Sequence, residues 1–163
     1  MKNNILFSEK QHFKQWWLML IFLSIVVGLS LATYQQFIKN LPMLSIFIAW
    51  SIVLSVIALF YLMHLKTVVT EEAISIHFFP FLKKQITWNE IEKAYIREYN
   101  PLGEYGGWGI RFGLNKGMAY TIAGNLGLQL VLKKGDELLI GTQKEKELEV
   151  ALRQLRKHSM LNY

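Results

Sequence analysis

The chain contains no cysteine. That excludes a disulfide framework, a thiolate zinc site, an iron–sulfur cluster and a cysteine nucleophile. Charge is missing from two long stretches, Trp16 to Tyr34 and Leu44 to Met63. No Walker-type sequence occurs, and the glycines from Gly103 to Gly109 lack the strand–turn–helix context and downstream acid of a dinucleotide fingerprint. The histidines His12, His64, His77 and His158 are scattered without ligand spacing, so no joint metal site is expected. Neither a Ser–His–Asp set nor a pair of carboxylates stands out; the acids gather at Glu71-Glu72 and near the C-terminus, as on solvated faces. The reading therefore expects no catalytic residues, no cofactor and no enzyme.

What is present begins with the two uncharged stretches. Each approaches the roughly 20 residues that a helix needs to cross a hydrocarbon core of about 30 Å. Trp16, Trp17, Tyr34 and Tyr61 sit near their ends, where amphipathic rings favour the headgroup layer. The connection Gln35 to Met43 is short and holds Asn40 and Pro42, so the spans form an antiparallel hairpin, about 16–34 and 44–63. The first run is too long for a signal peptide and lacks a small-residue cleavage site, which predicts an uncleaved anchor. Ser24, Gly28 and Ala32 recur on one face, as do Ser51 and Ser55; small residues let helices approach, so these faces are expected to pack the hairpin, the alternative being a dimer seam. With no ionisable residue inside either span, transport is not expected.

The net charge is +6, and half of it flanks the spans. Lys2, Lys10 and Lys14 precede the first span and Lys66 follows the second, while the turn between them carries only Lys39. The positive-inside rule then places both termini in the cytoplasm. Lys10, Lys14, Lys66, Lys83 and Lys84 are the candidate contacts to an acidic membrane surface. The basic doublets are too short to suggest nucleic acid as a partner.

Beyond Lys66 the apolar pattern changes to period two. Strands are predicted at 67–70, 73–79, 84–88, 91–99, 108–114, 119–122, 128–132 and 137–140, with Asn100-Pro101-Leu102-Gly103 as a turn. Leu148, Ala151, Leu152 and Leu155 then recur at i, i+3, i+4 and i+7, which marks a C-terminal amphipathic helix. Thr142 with Glu145 forms a candidate capping box at its start. The expected class is α+β: residues 1–65 as flank plus transmembrane hairpin, and residues 66–163 as a small β-barrel or sandwich of about seven strands closed by a helix.

Glycines surround Trp108 in Gly106-Gly107-Trp108-Gly109, with Tyr105 before and Arg111 after. These six residues are the candidate ligand or partner loop, Arg111 serving as a carboxylate or anion contact. The alternative is a bulged strand start with Trp108 in the core and Arg111 paired at the surface. The run Tyr99 to Arg111, YNPLGEYGGWGIR, resembles a motif of small bacterial membrane proteins that carry a pleckstrin-homology (PH) domain after a transmembrane pair. Ala119-Tyr120, Gly124-Asn125-Leu126-Gly127 and Leu139-Ile140-Gly141-Thr142-Gln143 are similar to that family too. The resemblance implies a PH-like fold in the bacterial cytoplasmic (inner) membrane, multi-pass, without assigned catalytic residues or ligand. The function expected is a membrane-anchored, noncatalytic interaction or scaffolding module that binds a protein partner or itself. The alternative is a sensor for anionic lipid or a small ligand.

Overall fold

A computed structural model describes residues 4–39, 42–113 and 116–161; Lys2, Asn40 and Leu114 lie outside them. The chain divides into two compact units, 13–63 and a discontinuous one made of 1–12 with 64–163. The protein is α+β: two long apolar helices, two sheets and a C-terminal helix.

The first unit holds α1 (Trp16–Ile38) and α2 (Leu44–Leu62), both long and apolar enough to span a membrane. They meet through bulky residues at heptad spacing. Phe22 stacks edge-on against Phe60 at 5.4 Å, and Trp50 Nε1 donates to Thr33 Oγ1 at 3.1 Å. The expected small-residue seam is corrected: Ser24, Gly28, Ala32, Ser51 and Ser55 are all exposed. Two of the hydroxyls bond within their own helix, Ser24 donating to the Ile21 carbonyl at 2.8 Å and Ser55 to that of Ser51 at 2.7 Å. Large interlocking side chains give more dispersion contact than small ones, and the Trp50–Thr33 bond adds a polar link between the helices.

The second unit contains a four-stranded antiparallel sheet in the order β1 (Ile5–His12), β2 (His64–Thr70), β3 (Ala73–Phe79), β4 (Leu82–Thr87). A five-stranded sheet has the order β5 (Ile91–Glu98), β8 (Leu126–Leu132), β9 (Glu137–Gly141), β7 (Gly117–Thr121), β6 (Gly109–Gly113). In it β7 and β9 run parallel, so it is a mixed sheet and not a simple meander. The described residues thus hold nine strands where about seven were expected. Ile74, Ile76, Phe78, Leu128, Leu130 and Leu148 are among the fully buried side chains. Helix α4 (Glu145–Leu161) buries Leu148, Ala151 and Leu152, as its periodicity requires.

The boundary expected between residues 65 and 66 moves. Residues Ile5–His12 are not a flank but the edge strand β1, and the helical hairpin is inserted between two neighbouring strands. Inward-facing positions of β1 include Glu9 and Gln11, which broke the apolar alternation that would have revealed it. They are buried because they bind the β9–α4 junction. Gln11 Nε2 donates to the Gly141 carbonyl at 2.8 Å. Glu9 accepts from the Thr142 hydroxyl at 2.7 Å and from the Gln143 amide at 2.8 Å. Thr142 also accepts from the Lys144 amide at 3.1 Å, so its hydroxyl serves this clamp instead of the expected box with Glu145. Trp88 likewise leaves its predicted strand for a short 3-10 turn, Trp88–Glu90, with its indole donating to the Thr70 carbonyl at 2.9 Å.

Candidate functional site

The stretch expected as a turn after Tyr99 is a five-residue helix, α3 (Pro101–Tyr105). Asn100 caps it by accepting from the Gly103 amide at 3.0 Å, Pro101 stands in its first turn, and Gly106 ends it at φ 68°. Gly107 and Gly109 follow at φ 123° and 118°, a region that side chains disfavour strongly. The glycines are therefore required by the backbone path, whatever the loop binds.

A polar network sets this segment on the sheet. Arg97, on β5, makes a bidentate pair with Glu104 of α3, at 3.2 and 2.8 Å, and its Nε donates to Gln129 of β8 at 3.0 Å. Gln129 passes the chain to Glu137 of β9 at 3.3 Å. Glu104 also accepts from the Asn100 amide at 2.8 Å. The Arg97 hydrogen bonds hold the Glu104 carboxyl below the ordinary carboxylate range, against the opposing effect of burial. Beneath the network, Tyr99, Tyr105, Ala119 and Leu139 form a small buried cluster. The Tyr99 and Tyr105 rings meet edge-on at 6.1 Å. Burial pushes the Tyr99 phenol up to about 12 and raises that of Tyr105.

The motif residues separated in sequence meet here. Gly124 offers its carbonyl to the Trp108 indole at 2.9 Å and to the Tyr99 hydroxyl at 3.3 Å. Ala119 and Leu139 contribute to the tyrosine cluster from β7 and β9. Of the six candidate loop residues, Tyr105 is buried and serves as a foundation, and Gly107 is buried too. Trp108 is half-buried and pinned by its indole. Arg111 is exposed; its Nε donates to the Trp108 carbonyl at 3.1 Å, and among the described residues no carboxylate pairs with it. Gly109 opens β6 at positive φ and pairs with Thr121 in continuous register, and the surface pairing that the bulged-strand alternative gave Arg111 is not formed among those residues.

Arg97, Glu104, Gln129, Glu9 and Gln11 escaped the sequence reading. One signal was available: Asn100-Pro101 followed by Glu104 is a helix start, read there as a turn. The other contacts are long-range and left no local mark.

The basic candidates separate. Lys10 is directly opposite Lys66, Lys66 opposite His77, and His77 opposite Lys83, so these four form one row across the outer face of the four-stranded sheet. Lys84, the next residue on β4, points to the other face, and Lys14 belongs to the helical unit. Three of the four scattered histidines become neighbours: His12 and His64 rings lie 5.4 Å apart, His64 and His77 6.0 Å. Among the described residues no cluster of His, Asp or Glu is arranged to hold a metal ion. A shallow groove between β1 and α4 is lined by Ile5, Leu6, Phe7, Ser8, Glu147 and Val150, and its one carboxylate pairs with Lys144 at 2.8 Å.

Compared with known protein families, curated proteins and solved structures, the chain matches none.

Proposed function

We propose that the protein is a membrane-anchored, noncatalytic interaction module, PH-like in kind, whose β unit binds an acidic segment of a protein partner at the cytoplasmic face of a bacterial inner membrane. The observation that carries this reading is Arg111: an exposed guanidinium on a glycine-built ledge, with its terminal nitrogens in no ion pair with a described carboxylate. A guanidinium suits bidentate contact with a carboxylate, and Arg and Trp are the side chains most often dominant in interfaces. Next to it Phe112 is 71 % exposed, and β6 is the edge of its sheet, open to pairing with an extended segment.

Connectivity supports the anchor. The chain leaves β1 at His12 and returns at His64, its register partner, so the hairpin starts and finishes at adjacent points of one sheet. Two spans between adjacent points bring both flanks to the same side of the bilayer, and the lysines at those flanks select the cytoplasmic side.

Co-purification from native membranes with the full chain, followed by mass spectrometry, tests the partner. Arg111→Glu is expected to lose a partner that Arg111→Lys retains in part, with membrane insertion and thermal stability unchanged. Identical partner sets for wild type and Arg111→Glu would overturn the assignment.

A further inference from the structure

We infer that the outer face of the four-stranded sheet is a docking surface for acidic phospholipid headgroups, a role separate from the Arg111 ledge and resting on the membrane-anchor reading. Strand register carries the argument. The row Lys10, Lys66, His77, Lys83 crosses all four strands on one face. Its three lysines are exposed and form no ion pair among the described residues. Residues aligned with them along each strand are Ser8 and His12, His64 and Val68, Ser75 and Phe79, and Gln85. None is acidic. The sheet's acids lie elsewhere: Glu9 points inward to the Thr142 clamp, and Glu71 and Glu72 occupy the β2–β3 turn at the opposite end of β2 from His64. At roughly 3.3 Å per residue along a strand, that turn is about 20 Å from the histidine end.

The histidine end has a second property. There His12, His64 and Phe79 are consecutive across three strands, with the His64 and Phe79 rings stacked at 5.2 Å. Phe79, the last residue of β3, is 37 % exposed, and Phe81 in the β3–β4 turn beyond Pro80 is 57 % exposed. Two exposed phenylalanines at and beside a turn tip are poorly placed for water and well placed for the interfacial layer. This end is also where the chain joins its spans: three residues separate His12 from α1 and one separates α2 from His64. The lysine row stands two residues farther along each strand, about 7 Å deeper into the unit. Aromatic tip, then cations, is the order in which an interfacial layer and its phosphates would be met. A protein partner could use the cations, but it would not explain why the phenylalanine tip lies where the chain joins its spans.

The absence of cysteine allows a clean test on the full chain. Phe81→Cys and Ser75→Cys, each labelled with an environment-sensitive fluorophore, report on the tip and the face; Lys134→Cys in the β8–β9 turn is the control. The labelled chains are reconstituted into nanodiscs of phosphatidylcholine alone or with 30 % phosphatidylglycerol, and incorporation is verified first by co-elution with the lipid. Anionic lipid is expected to shift the Phe81 and Ser75 labels to the blue and expose them to a headgroup-attached quencher, leaving the Lys134 label unchanged. Each of Lys10→Gln, Lys66→Gln and Lys83→Gln is expected to lower the docked-to-undocked ratio about fivefold. In 1 M salt the difference between the two lipids is expected to vanish. Equal signals from wild type in both lipids, with incorporation intact, overturn the docking surface alone. Failure to incorporate into either nanodisc overturns the anchor and this inference with it. Should a lysine variant lose its fold, the wild-type comparison of the two lipids and the salt response still decide.

Discussion

At the scale of single residues, long-range polar bonds outweigh local pattern. Glu9 is buried and accepts two hydrogen bonds from the β9–α4 junction. Removing a charged acceptor strands both donors, so Glu9→Ala is expected to lower stability by about 3 kcal/mol, read in a thermal or denaturant melt. Arg97 has the same standing for α3: Arg97→Ala leaves Glu104 and Gln129 without their shared donor and is expected to cost about 2 kcal/mol. Acid should act through the same pair. Because Glu104 titrates below its ordinary value in the folded chain, its contribution is present above that value and fades as pH falls through the folded one. A melt series from neutral pH downward should show a smaller loss in Glu104→Gln than in wild type. Tyr99 behaves oppositely: its phenol, pushed up to about 12, stays protonated where the unfolded chain has already ionised. Stability therefore declines as pH rises from about 10, the ordinary tyrosine value, through about 12, and Tyr99→Phe should flatten that decline.

At the scale of elements, the glycine ledge and β1 are the two features that reward direct tests. Gly107→Ala forces a side chain into φ 123° and is expected to cost about 1–3 kcal/mol even with room for the methyl group. The same change at Gly28, exposed in α1 with nothing near its Cβ position, should leave stability within about 1 kcal/mol of wild type, since an interior helix alanine outranks glycine. Most elements were legible in advance because their patterns are local. The seven strands from β3 to β9 match predicted runs closely, and α4 follows from Leu148, Ala151 and Leu152. Strand β1 was not legible, because two of its inward residues are polar and find partners more than a hundred positions away. Helix α3 was half-legible: its cap and proline were visible, yet five residues give too short a pattern for periodicity.

At the scale of the whole molecule, β1 changes what the N-terminus is. It ties the residues before the hairpin to the sheet after it, so a chain starting at Phe13 should retain two insertable helices but lose the Glu9 clamp and Lys10 of the cationic row. Limited proteolysis of that truncated chain in bilayers is expected to cut first near Thr142; resistance equal to wild type would show that the strand is dispensable. The sequence by itself determined the elements whose cause is local: uncharged runs long enough for a bilayer, alternation for strands, an apolar stripe for the last helix. Its lack of cysteine also settled which chemistries are excluded. Tertiary structure decided everything that depends on which strand lies beside which. It moved β1 into the sheet, gathered the separated glycine and aromatic motifs around Gly124, and aligned Lys10, Lys66 and Lys83 across three strands. The reason is physical: hydropathy and period act between near neighbours in the chain, whereas register and hydrogen-bond partners are set by residues that only folding brings together.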